Sequence, residues 1–309
     1  MENKEKESMR DGFGDGLLMA GKRDERVVVL TADLKESTRC KLFAEEFPER
    51  FFDLGVAEQN MMGVAAGLAV SSKIPFVCSY GVFSPGRSWD QLRVSVCYSK
   101  ANVKIAGAHA GFSASEDGAS HQALEDIAMV RVLPNLTILT PCDYEQVRKA
   151  TLAAIQIEGP VYLRYHKNKL PSVTSESSEF SVGKVQVLRE GGDVSVFACG
   201  PMVHRALMVA ERLKGKVEVE VINIHTIKPI DREAIVRSAR KTGKVVTAEE
   251  HQVIGGLGSA VAEVLGDELP TSMVRVGVKD SFAESGSYEE LVEKYGVGKK
   301  DIERAILSL

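Results

Sequence analysis

Tryptophan occurs once in this chain of 309 residues, and aromatic residues of all kinds make up only 6%. No apolar run approaches the ~20 residues that a membrane span requires, so no partnership with a membrane is expected. The N-terminus, MENKEKESMRD, is charged and lacks the apolar stretch of a signal peptide. Neither charge sign dominates: 39 Lys and Arg face 43 Asp and Glu, a formal net charge of −4. That balance argues against nucleic acid or an acidic lipid surface as the main partner. Cysteine is scarce and odd in number. Cys40, Cys78, Cys97, Cys142 and Cys199 are scattered and mostly set in apolar runs. They read as reduced, buried small hydrophobes of a cytoplasmic protein, neither a disulfide framework nor a metal site.

What is present is a long alternation of short apolar runs and helical patterns. Val27–Leu34, Pro75–Tyr80, Val103–Ala108, Leu136–Pro141 and Val161–Tyr165 read as buried strands of a parallel sheet covered on both faces. Between them EQNMMGVAAGLAVSS, SWDQLRVSVCYS, ALEDIAMVRVL and DYEQVRKATLAAIQ carry helical spacing, the last with Asp143 as its N-cap. PSVTSESSEFSVG (Pro171–Gly183) is Ser-rich, has no long apolar run and reads as linker. A second α/β series follows it. The expectation is an α/β protein of two domains, residues 1–170 and 189–309, joined by a linker at 171–188.

The loop His109–Gln122, HAGFSASEDGASHQ, gathers two histidines and two adjacent acids among small turn-forming residues. Imidazoles and carboxylates on such a loop suit polyol binding and proton transfer, though a polar surface loop is an even alternative. The spacing is not a usual zinc pattern and no third ligand is apparent. In FFDLGVAEQNMMGVAAG (Phe51–Gly67), Glu58 opens a small-residue helix. As a helix-start acid it would only favour the macrodipole. As a functional group it needs apolar neighbours (Val56, Met61, Met62) whose burial raises its pKa into a range useful for proton exchange with a heterocycle.

Taken in order, FFDLGVAEQN, PFVCSYGVF, HAGFSASEDGASHQ and LPNLTILTPCDYEQ resemble the pyrimidine-binding domain of the transketolase group of thiamine diphosphate enzymes. VINIHTIKPID and EEHQVIGGLGSAVAEVL resemble the group's C-terminal domain. The resemblance runs from about Met9 to the end of the chain. It implies that Glu58 is the glutamate that hydrogen-bonds the aminopyrimidine nitrogen and so drives ylid formation on the cofactor. It implies that Tyr80 and Phe83 lie against the pyrimidine, where a ring contact adds ~0.5–1.5 kcal/mol beyond burial. For the donor sugar it implies Asp117 as the hydroxyl acceptor that selects stereochemistry, His121 beside the cleaved bond and His109 towards the phosphate. Arg10 and Ser37 match positions that grip that phosphate. Lys167 stands where the family usually has arginine, which loses the bidentate fork, and Arg164 is placed to share the role.

Full-length transketolases hold Mg²⁺ and the cofactor's diphosphate with a Gly-Asp-Gly run after a strand, followed by paired asparagines. Gly14–Asp15–Gly16 falls in a predicted helix before the first strand, and no asparagine occurs between Asn3 and Asn60. The chain therefore looks like the C-terminal half of a split transketolase. Its companion N-terminal subunit would hold Mg²⁺ and the diphosphate, and copies of this chain would associate through the pyrimidine-binding and C-terminal domains. The implied reaction is transfer of a two-carbon ketol unit between sugar phosphates. Alternatives are a deoxyxylulose phosphate synthase, which usually has arginine at the position of His109, and the β subunit of a 2-oxo acid dehydrogenase. A catalytically silent assembly subunit is a further alternative. A dinucleotide-binding oxidoreductase is weaker, since Gly255–Gly258 lacks the full glycine fingerprint.

Overall fold

The computed structural model describes residues 6–309. In the first half the strands are β1 (Lys6–Ser8), β2 (Val27–Thr31), β3 (Phe51–Asp53), β4 (Ile74–Tyr80), β5 (Lys104–Ala108), β6 (Thr137–Leu139), β7 (Val161–Arg164) and β8 (Lys169–Pro171). The helices are α1 (Met9–Arg23), α2 (Lys41–Glu46), α3 (Glu58–Val70), α4 (Trp89–Gln91), α5 (Asp126–Arg131) and α6 (Tyr144–Ala154). The second half adds β9 (Gln186–Arg189), β10 (Val194–Ala198), β11 (Val219–Asn223), β12 (Thr226–Lys228), β13 (Lys244–Gln252) and β14 (Ser272–Val278). Its helices are α7 (Met202–Leu213), α8 (Arg232–Thr242), α9 (Leu257–Glu268), α10 (Tyr288–Lys294) and α11 (Lys299–Leu307).

A seven-stranded sheet runs β12-β6-β7-β5-β4-β2-β3, parallel except for β12. Strands β2, β4, β5 and β7 are buried at every residue, as apolar runs covered on both faces must be. A five-stranded sheet, β14-β13-β10-β11-β9, is parallel except for β9. The α/β architecture in two domains is thus as the sequence implies. Asp143 caps α6, its carboxylate accepting from the Gln146 amide at 2.9 Å.

Three features differ from expectation. The linker is shorter, because β9 begins at Gln186, and it is tied down: Asp143 also accepts from the Val173 and Thr174 amides at 2.8 and 2.6 Å. The Phe180 ring lies 4.5 Å from His225. Strand β12 belongs by sequence to the second half yet pairs with β6 of the first sheet, so the halves share a seam of backbone hydrogen bonds. Finally, the helix after Trp89 widens into a π-helical stretch, Leu92–Tyr98.

The Gly14–Asp15–Gly16 run lies inside α1. A Cβ at Gly16 would press on Thr151 and Arg148 of α6, and Asp15 accepts from the Tyr144 hydroxyl at 2.5 Å. These residues serve the close approach of α1 to α6. All five cysteines are free and buried. Among the described residues no helix is long and apolar enough to cross a membrane, and no cluster of three or more His, Cys, Asp or Glu could hold a metal ion.

Candidate functional site

In a parallel sheet the strand carboxyl ends share one edge, and ligands bind there. Here β4 ends at Tyr80, β5 ends just before His109, and β3 leads through a Gly55 turn into the first residue of α3, Glu58. Topology alone therefore brings these three segments to one edge of the first sheet.

Glu58 is only 4% exposed, above the buried Met61 and Met62. Val56, expected among its apolar neighbours, is instead 69% exposed. The positive end of α3 favours a carboxylate at this position, and Arg87 Nη1 donates to Glu58 Oε1 at 2.9 Å. Tyr80 and Phe83 stack with centroids 5.7 Å apart. His109 stacks on Tyr80 at 4.0 Å, and His121 meets Phe83 edge-on at 5.1 Å. The Arg87 guanidinium lies 4.1 Å over the Phe83 ring. Four of the residues singled out from sequence thus form one continuous aromatic cluster, joined to Glu58 through Arg87.

His109 is buried, with φ at +55°, a left-handed conformation unusual for a side-chain-bearing residue. Its Nδ1 has no hydrogen-bond partner among the described residues. Burial, then the nearby Lys167, Arg10 and Arg39 charges, pushes its pKa down to about 3, so the ring is neutral at physiological pH. Arg10 Nη1 reaches the Ser37 carbonyl at 3.4 Å, and the Ser8 hydroxyl donates to the Lys167 carbonyl at 3.1 Å. The charges of the phosphate candidates Arg10 and Lys167 thus act on His109, and Ser37 is tied to Arg10 through its backbone carbonyl.

Asp117 ends a 3₁₀ stretch, Phe112–Asp117, and is exposed on the loop. The Ser120 hydroxyl sits 2.9 Å from His121 Nδ1. What fixes the loop comes from the second domain, chiefly Glu250 of the EEHQ motif, to which motif reading assigned no role. Glu250 Oε1 accepts from the Phe112 amide at 2.7 Å, and Glu250 Oε2 accepts from the Tyr288 hydroxyl at 2.6 Å. The Gln122 amide group donates to the Ser115 and Glu284 carbonyls, both at 3.0 Å. Gly111 has φ +60°, and a Cβ there would overlap the Glu250 carboxylate, so only glycine lets the loop pass this close. Burial pushes the Glu250 carboxyl up to about 7 against the bonds from Tyr288 and Phe112. The signal in sequence was the charged run Glu249–Glu250–His251 ending an otherwise apolar strand.

One assignment is corrected. Arg164 does not share phosphate binding, because it is 2% exposed and both Asp126 oxygens accept from its Nε, at 3.1 and 2.8 Å. Its Nη2 donates to the Ala123 and Glu250 carbonyls at 3.1 and 3.0 Å. It is a structural ion pair at the domain seam, further fixed by Tyr162, whose hydroxyl donates to Asp126 at 2.7 Å. The glycine turn before α9 is likewise occupied from within: Glu249 accepts from the Leu257 and Gly258 amides at 2.6 and 2.8 Å, filling the place a dinucleotide phosphate would need.

The edge therefore offers a buried carboxylate, an aromatic face, neutral imidazole and a cationic rim. Such a set fits a flat nitrogen heterocycle against Glu58 and Phe83, with a polyol anion extending towards His109. Residues 5–173 match the family model for the transketolase pyrimidine-binding domain, and residues 183–302 match that for the transketolase C-terminal domain. A 6-deoxy-6-sulfo-D-fructose transketolase subunit of Clostridium sp. (strain MSTE9) is 46% identical over 298 residues, 96% of this chain and 92% of that protein. A 1-deoxy-D-xylulose-5-phosphate synthase of Desulfitobacterium hafniense (strain DCB-2) is 40% identical over 95% of this chain, which spans only 47% of the synthase. A solved structure described as a split gene transketolase, inactive beta4 tetramer, superposes with a TM-score of 0.91 at 49% identity, covering 97% of both chains. The chain belongs to the transketolase family, in which it corresponds to the pyrimidine-binding and C-terminal half of a split enzyme.

Proposed function

We propose that this chain is the pyrimidine-binding and C-terminal subunit of a two-chain, thiamine diphosphate-dependent transketolase that moves a two-carbon ketol unit from a ketose phosphate to an aldose phosphate. The observation that carries the reading is Glu58, a nearly buried carboxylate at the head of α3, joined to the Phe83 face and continuous with His109 and His121.

When bound, the cofactor would supply a nucleophilic carbon for ketol transfer. Within this chain, Glu58 holds and exchanges the proton at the ring nitrogen, and Phe83 with Tyr80 fixes the ring plane. His121 moves a proton to and from hydroxyls near the cleaved bond. His109, kept neutral by its surroundings, donates or accepts a hydrogen bond without adding charge. Asp117 orients a donor hydroxyl, and Arg10, Lys167 and the Ser37 segment hold the anionic end of the sugar. Mg²⁺ and the diphosphate belong to a companion subunit, because the Gly-Asp-Gly run here is consumed in the contact between α1 and α6.

A second reading, synthase chemistry of the deoxyxylulose phosphate type, draws support from the 40% identity to that synthase. It shares the Glu58 step and differs in the donor; His109 rather than arginine favours the ketol reading. The test is to purify the chain alone and with the proteins that accompany it, then assay ketol transfer with and without thiamine diphosphate. The expected result is activity only for the complex with cofactor. Tight Mg²⁺-dependent cofactor binding by the pure chain in calorimetry contradicts the division of labour, and release of CO₂ from pyruvate instead of ketol transfer favours the synthase.

A further inference from the structure

Arg87 is a group at this edge to which neither the motifs nor the proposed reaction gives a role. It sits in the turn after Phe83, its backbone held by the Phe83 carbonyl at 2.8 Å and by the Gln59 side chain at 3.3 Å. Its side chain is 50% exposed and reaches inward to make two contacts: an ion pair with the 4%-exposed Glu58 at 2.9 Å and a stack on Phe83 at 4.1 Å.

Those two partners are the ones the aminopyrimidine ring requires. The likeness extends to the chemistry. A guanidinium is flat, presents an N–C–N edge to a carboxylate and lies against aromatic faces. An aminopyrimidine has the same N–C–N edge and the same planar stacking surface. Two planar groups cannot occupy one face of Phe83 and one oxygen of Glu58 at once.

We propose that Arg87 is a built-in competitor for the cofactor's aminopyrimidine, filling the ring's place between Glu58 and Phe83 until it swings out to admit the ring. This rests on the reading of Glu58 and Phe83 as the ring's partners. The fixed backbone and half-exposed side chain make the movement one of side-chain torsions alone. While the guanidinium is in place, Glu58 is not a buried charge without a partner, which is an unfavourable arrangement. Cofactor affinity is then reduced by the fraction of molecules in which Arg87 is out. The chain keeps its active carboxylate compensated when no cofactor is present and gives up affinity in return.

The test uses the full-length chain, with thiamine as the probe so that diphosphate contacts do not enter. Trp89, the single tryptophan, lies two residues from Arg87 and reports binding by fluorescence, with calorimetry as the second readout. If Arg87 is out in about a tenth of molecules, Arg87→Ala binds thiamine about tenfold tighter than the unaltered chain, and Arg87→Gln falls between them. Acetamidine, which carries the same N–C–N edge, binds Arg87→Ala and competes with thiamine. The proposal is overturned if a folded Arg87→Ala binds thiamine no tighter or not at all, or if acetamidine and thiamine bind together. Glu58→Gln separates the two levels. If it leaves thiamine affinity unchanged, the ring-binding reading itself fails; if it weakens binding while Arg87→Ala brings no gain, only the role of Arg87 fails. Melting temperatures of each variant, compared with the unaltered chain, establish that the measured chains are folded.

Discussion

At the scale of single residues, the buried carboxyls of the second domain make the clearest energetic statement. Burial lifts Glu250 to about 7 from an ordinary value of 4.5, and Glu249 is raised to about 7 by the same cause. The folded chain therefore keeps protons that the unfolded chain gives up. The stabilisation from the neutral forms is complete below pH 4.5 and is lost as pH rises to about 7, on the order of 3 kcal/mol per carboxyl at most. Glu250→Gln keeps an acceptor for the Phe112 amide but cannot titrate. Denaturant unfolding across pH 4.5 to 7 should therefore lose one falling contribution in Glu250→Gln, set against the rising contribution of buried histidines such as His225 and His251, whose pKa values burial lowers to about 4; an unchanged pH dependence would place the titration elsewhere. At the cationic rim, Arg10→Ala and Lys167→Ala should each penalise phosphorylated donors over unphosphorylated ones. The penalty should shrink as salt is raised, because part of it is screened Coulomb attraction. Equal loss on both kinds of donor would mean the two side chains only hold α1 and its neighbouring turn in place.

At the scale of elements, the loop Phe112–Gln122 is braced by the second domain yet leaves Asp117 exposed at the end of its 3₁₀ stretch. Asp117→Ala should therefore leave the loop in place and weaken only donors whose hydroxyl it accepts. An unpaired hydroxyl costs ~1–3 kcal/mol, about a ten- to hundredfold loss in kcat/KM. Matched donor pairs that differ at that hydroxyl measure it; slowing of every donor by one factor would make the loop's role structural. The elements differ in how well sequence foretold them. Strands β2, β4, β5 and β7 were legible because doubly covered parallel strands are apolar runs with nothing to imitate them. The helix expected from Ala123 shortens to Asp126–Arg131, since its apolar continuation is used in a turn rather than a further helical turn. Strand β12 was illegible: three residues carry no periodicity, and their pairing with β6 is set by tertiary contact.

The same division holds across the whole molecule. That Tyr80, Phe83, His109 and His121 pack together, with Glu58 joined to them through Arg87, was foreseeable because each lies in an ordered motif close to the carboxyl edge of the first sheet. Arg164 was misplaced because its partner Asp126 lies 38 positions away, and only the fold reveals that the pair is buried. Arg87 and Glu250 were missed because each acts through contacts that run between elements or domains. The seam is thus more than a junction of two independent domains: β12, the Asp126–Arg164 pair and the Glu250 bonds let the second domain hold the His109–Gln122 loop of the first.

The proposed function turns on one proton, held at Glu58. Hydrogen–deuterium exchange at the cofactor's reactive carbon, measured in the complex with the companion subunit, reads the proposed proton transfer at Glu58. The unaltered complex should exchange rapidly. Glu58→Gln, still folded and still assembled, should slow exchange by a factor of about 10²–10⁴, the usual worth of a positioned acid–base group. Rapid exchange in that variant would leave Glu58 as a helix-start acid and the proton's path unassigned.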